Sequence, residues 1–169
     1  MRFEIEQVIA GPVEAVARAY TEPGFYERLG DLPKLGRPEL LDRQEDGPGL
    51  VRLAVRFRFT GQLAPAVMKV VDPAKLSWVE ESVHDLERYT VAFRMKPDNY
   101  ADRLRCDGSS RLEPAAEGRT RRVSVGDLFV RVPLVGSMVE SAIVSGLREH
   151  LAAEVAVVEE LLGTRGGPE

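Results

Sequence analysis

The 169-residue chain is 44% apolar and 30% charged, the composition of a folded domain rather than a disordered segment. A formal charge of −4 leaves no basic excess for a nucleic-acid face, and the skew of 19 Arg to 4 Lys reads as codon bias rather than phosphate recognition. The lone Cys106 excludes an internal disulfide and a multi-cysteine metal site, the acidic start Glu4-Ile5-Glu6 is unlike a signal peptide, and no apolar run approaches the roughly 18–20 residues of a membrane span. A cytoplasmic protein without transmembrane segment, metal or cofactor is expected, as a single domain over residues 1–162 with a flexible tail at 163–169.

Residues 2–10 alternate, placing Phe3, Ile5 and Ile9 on one face and Glu4 and Glu6 on the other, as in a half-buried strand. Gln7 falls on the apolar face and calls for a polar partner or a wet cavity. Pro12 opens a helix carried by Val13, Val16, Ala17 and Tyr20, and Pro23-Gly24 breaks it before a second short helix through Phe25, Tyr26 and Leu29. A loop over 30–38 follows, with Gly30, Pro33, Gly36 and Pro38.

Residues 39–46 read as a modest strand and Gly47-Pro48-Gly49 as a turn. The next strand is the clearest: Val51, Leu53, Val55, Phe57 and Phe59 alternate with Arg52, Ala54, Arg56 and Arg58, one face buried and one wet. Residues 65–71 fit a short helix or a strand. Residues 75–84 form a strand whose faces are both mixed, with Leu76, Trp78, Glu80, Ser82 and His84 opposite Ser77, Val79, Glu81 and Val83, so periodicity leaves its inward side open. Residues 88–96 set Tyr89, Val91, Phe93 and Met95 against Thr90, Arg94 and Lys96. A strand from Leu104 through Cys106 to Leu112 is expected to bulge at Gly108, and another runs from Thr120 to Val132.

From about Leu134 to Leu162 the chain is proline-free and helical, with an apolar stripe through Ile143, Leu147, Leu151, Val155, Val158 and Leu162. Ser137 and Glu140 suggest a capping box, and Gly163 a C-terminal cap. The order strand, two short helices, consecutive strands and one long helix predicts an α+β fold with a curved antiparallel sheet of about seven strands wrapped on the last helix. Small residues between Ser137 and Gly146 would leave that helix standing off the sheet, enclosing apolar space of the kind that holds a small molecule.

The opening Phe3-Glu4-Ile5-Glu6 to Pro12-Val13-Glu14-Ala15-Val16, the segment Leu76-Ser77-Trp78-Val79-Glu80, and Val132-Pro133-Leu134-Val135-Gly136 followed by Glu140 together resemble the SRPBCC superfamily, also called START-like or birch-pollen-allergen-like, in an uncharacterised bacterial branch. The resemblance spans residues 1 to about 162. It implies the helix-grip fold and an interior pocket for lipids, polyketides, quinones or similar apolar molecules. No catalytic set of the superfamily carries over, and two histidines do not supply the iron ligands of its ring hydroxylases.

The reading that follows is a binder or carrier of a small apolar ligand, lined by Phe57, Phe59, Trp78, Phe93, Met95, Ile143 and Leu147. A cyclase- or hydrolase-type enzyme would draw on Glu80, His84, Tyr89 and Asp127 for acid–base chemistry. Glu80 and His84 share the parity of Trp78 and line the cavity only if that face turns inward; His84 stands near a strand end, usually a wet place. Asp127 shares the parity of Val123 and Val125 and is expected inward with them. His150 is expected as a satisfied, partly buried helix residue. A third reading is a structural or regulatory partner with a filled core. No serine-nucleophile elbow or phosphate loop is present.

Overall fold

The computed structural model describes residues 1–163 except Asp31 and Pro33. Pro33 of the predicted loop and the tail beyond Gly163 therefore lie outside the described residues. Strand β1 (Arg2–Ala10) leads into helices α1 (Val13–Ala19) and α2 (Pro23–Arg28). Strands β2 (Glu39–Glu45) and β3 (Leu50–Arg58) follow, then the one-turn helix α3 (Pro65–Met68). Strands β4 (Ser77–Asp85), β5 (Thr90–Pro97), β6 (Leu104–Ala115) and β7 (Arg119–Val130) precede the 26-residue helix α4 (Gly136–Leu161). The strands form one seven-stranded antiparallel sheet in the order β1-β7-β6-β5-β4-β3-β2. This is the helix-grip arrangement, with α1, α2 and α4 on the concave face.

The residues that signalled β1 and β3 also bury them: Phe3, Ile5 and Ile9 of β1 and Val51, Leu53, Val55 and Phe57 of β3 are all under a tenth exposed, while Phe59 lies just past the end of β3 and is half-buried. The predicted bulge at Gly108 is absent, since β6 pairs with β7 without a register shift from Leu104↔Val130 to Ala115↔Arg119. Gly108 instead lies opposite Gly126, and a Cβ on either would stand 2.6 Å from the Phe93 ring or 2.5 Å from the Phe3 ring. Glycine at both places lets two large rings lie against the sheet. The register shift falls in β2, between Leu40 and Asp42.

Helix α4 starts at Gly136 without a side-chain cap. The predicted capping box does not form: Ser137 is exposed, and Glu140 turns back to accept from the Val130 backbone N–H at 3.0 Å, 3.5 Å from the chain's amino terminus. At the other end Gly163 has the positive φ of 65° expected of a cap residue. No helix among the described residues is long and apolar enough to cross a membrane.

The buried side chains fall into two clusters. One joins α1, α2, β3 and the second half of α4, through Ile9, Val16, Phe25, Leu29, Val55 and Val158. The other lies under α3 and the first half of α4, through Phe3, Val67, Cys106, Leu128, Val130 and Val144.

Candidate functional site

Between the sheet and the first half of α4 lies a cavity of about 200 Å³. Its walls come from Phe3 of β1, Lys34 and Leu35, β3 to β7, the segment 62–76 that includes α3, and the α4 residues Met138, Val139, Ala142, Ile143, Val144, Gly146, Leu147 and His150. All seven residues expected to line a pocket border it: Phe57, Phe59, Trp78, Phe93, Met95, Ile143 and Leu147. Of the small residues that suggested a hollow, only Ala142 and Gly146 face it, one helical turn apart, and a Cβ on Gly146 would meet nothing within 4 Å. Ser137, Ser141 and Ser145 are exposed and do not border the cavity. The segment 62–76 supplies Leu63, Val67, Val71 and Leu76, a wall that its short apolar pattern did not announce.

The Trp78 face of β4 turns inward, which settles the question its mixed pattern left open. Trp78 stacks on Phe57 with ring centroids 5.8 Å apart. Glu80, the next inward residue, stands between Val55 of β3 and Met95 of β5, and the same row continues through Cys106 to Leu128. It is an acid in an otherwise apolar row. Among the described residues nothing hydrogen-bonds its carboxyl, whose pKa is pushed up to about 7, chiefly by burial and further by the nearby Glu154, against the pull of His150 and Arg122.

Behind Glu80 lies a cluster of buried charge. Arg122, 6% exposed, points inward from β7 and donates to Glu154 at 2.8 Å and to Gln7, while its guanidinium sits 4.6 Å from the Tyr20 ring centroid. Gln7 thus finds the polar partner its position on β1 called for. Glu154 also meets His150 at 2.9 Å. Burial alone would raise the Glu154 pKa, but His150 and Arg122 outweigh it and hold the carboxyl at about 2. His150 packs edge-on against Phe57, borders the cavity, and keeps Nδ1 without a partner among the described residues. It is the last α4 residue on the cavity wall; Glu154, one turn on, already belongs to the solid core.

Three of the four acid–base candidates are placed elsewhere. His84 is buried, not wet, because β4 runs on to Asp85 and sets it between Val51 and Val91. It bonds Ser82 at 3.1 Å, lies off the cavity wall, and burial lowers its pKa to about 4. Tyr89 sits in the β4–β5 turn with φ 56° and reaches toward Glu14, away from the cavity. Asp127 faces outward and is exposed, since the inward set of β7 is Thr120, Arg122, Ser124, Gly126, Leu128 and Val130. The expectation followed the half-buried valines 123 and 125. Leu128 and Val130, sharing parity with Arg122, carry the opposite signal.

A family model described as "Protein of unknown function (DUF2505)" matches residues 4–162. The chain belongs to this family. No curated protein matches this DUF2505 chain in sequence. Among solved structures, the Zhui aromatase/cyclase from a Streptomyces species is 18% identical, with a TM-score of 0.68 and 99% of both chains covered. A Thermus thermophilus protein is 20% identical, at TM-score 0.67, covering 98% of this chain and 100% of its own. Norcoclaurine synthase from Thalictrum flavum, in complex with dopamine and hydroxybenzaldehyde, is 18% identical at TM-score 0.63, covering 99% of this chain and 89% of that one. At these identities the likeness shows a shared helix-grip fold.

Proposed function

We propose that residues 1–162 are one ligand-binding domain of a bacterial branch of the SRPBCC superfamily, and that it binds and carries a small apolar molecule in the cytoplasm. The observation that carries this reading is the hollow itself, about 200 Å³ enclosed by Phe57, Trp78, Phe93, Met95, Ile143, Leu147 and their apolar neighbours. A dry apolar cavity of about 150 Å³ holds benzene, so this one suits a molecule of one or two rings. Among the lipids, polyketides and quinones that such folds accommodate, compact ring compounds fit best, and a long acyl chain would protrude past exposed wall residues such as Met138 and Arg103. The small-molecule chemistry named for the aromatase/cyclase and norcoclaurine synthase neighbours supports a ring guest. The hollow weighs against a purely structural partner with a filled core.

A second reading, a cyclase-type enzyme in the same cavity, is favoured by one observation: Glu80 presents an unpaired carboxyl with a pKa of about 7 to the cavity, poised for acid–base work near neutral pH. Fluorescence titration with an apolar naphthalene probe, alongside native mass spectrometry of the purified protein, tests the binding reading. Saturable uptake that is lost in Phe93→Arg is the expected result. A folded wild-type protein that takes up no probe and carries no guest would overturn it.

A further inference from the structure

The inward face of the sheet commits one acid to the cavity and leaves it without a hydrogen-bond partner among the described residues. The charged groups beside it are satisfied within the protein: Arg122 by Gln7 and Glu154, and Glu154 by Arg122 and His150. Glu80 lies in the cavity wall between Val55 and Met95, one inward position along β4 from the Trp78–Phe57 stack. Glu80 is half-buried in that wall; a carboxyl left unpartnered among apolar neighbours costs free energy, and a guest that reaches it with a hydrogen bond recovers part of that cost.

We propose that the guest is a hydroxylated aromatic of one or two rings, held with its rings among Phe57, Trp78, Met95 and Ile143 and its hydroxyl on the Glu80 carboxyl. This rests on the binding reading above and adds to it the chemistry of the guest's polar end. A hydroxyl suits the position in both charge states of Glu80, donating to the carboxylate and accepting from the acid. With a pKa near 7 both states are populated around neutrality. An ammonium head suits it less, because it would shed its water among apolar walls. The groups acting on Glu80 electrostatically are Glu154 and His150 from α4 and Arg122 from β7.

The test compares 2-naphthol, 2-methoxynaphthalene, naphthalene and 2-naphthylmethylamine on wild-type protein by competition and calorimetry at pH 7.5. A hydrogen bond to a charged or near-charged group predicts that 2-naphthol binds about tenfold tighter than naphthalene. Its methyl ether should lose that advantage, and the naphthol-to-naphthalene ratio should fall to near one in Glu80→Leu. Equal affinities of naphthol and naphthalene would overturn the proposal while leaving the apolar cavity reading intact, and the amine binding tightest would overturn it in favour of cation recognition. Binding of none of the four would sink the binding reading itself. The four-ligand comparison uses only wild-type protein, so it decides the matter even if the variant folds poorly.

Discussion

The two halves of helix α4 cover interiors of opposite character. From Met138 to Leu147 the helix roofs a hollow, to which it presents Met138, Ile143 and Leu147, while Gly146 leaves space open beside them. From His150 onward it caps a solid core, where Val158 is fully buried and Arg122, Glu154 and His150 form a compensated ionic cluster. One sheet serves both halves, but α1 and α2 fill the space beneath the second half, whereas the α3 segment closes the first only partly. Solid packing with paired charges anchors the helix at one end. That anchoring allows the other end to stand off the sheet without collapse.

The largest effect should come from breaking the anchored half. Arg122→Met removes the cation that Glu154 faces and leaves a buried carboxylate undercompensated, with an expected loss of about 3–5 kcal/mol in urea denaturation at pH 7. A loss below about 1 kcal/mol would mean that the cluster is not what fixes the helix.

At the boundary of the halves, Glu80 is predicted to weaken the fold as it ionises. The unfolded chain releases this proton near 4.5 and the folded chain near 7, so the folded state binds more protons between those values and stability falls as pH rises through them. The full penalty stands above about pH 7 and none remains below about 4.5. Glu80→Gln, which cannot ionise, should therefore be more stable than wild type by about 3 kcal/mol at about pH 8 and equal to it at about pH 4. Parallel stability curves for the two proteins across that range would contradict this account.

In the hollow half, Gly146→Leu should do the reverse of an ordinary core substitution. It improves helix propensity by about 1 kcal/mol and projects into open space, so melting temperature should rise while naphthalene affinity drops at least tenfold. The smallest effect belongs to the exposed Lys34–Glu149 pair at 2.7 Å beside the cavity. Lys34→Ala should change stability by no more than about 0.5 kcal/mol, a near-zero result that checks the attribution of stability to the buried cluster.

The anchored scaffold is easy to read in the sequence and the site only partly so. The alternation of Val51 to Phe57 and the helical stripe through Val158 announce their faces because each buries apolar side chains locally. The side taken by Glu80 is not legible in β4, whose two faces both carry acids and apolar residues; only the flanking Val55 and Met95 decide it. Arg122 is hidden for a related reason. Its partner Glu154 lies 32 residues away on α4, a separation across which no local period carries information. The inward Gln7 is the one sign in the sequence that a buried polar group awaits it.

The most direct test of the division between the halves is methyl NMR during titration with naphthalene. Shifts confined to methyls of the cavity wall, Met95, Ile143, Leu147, Leu63 and Val67 among them, with Val16, Leu29 and Val158 unmoved, are predicted. No shifts at saturating probe, or equal shifts in both groups, would contradict a guest-holding hollow beneath the first half of the last helix.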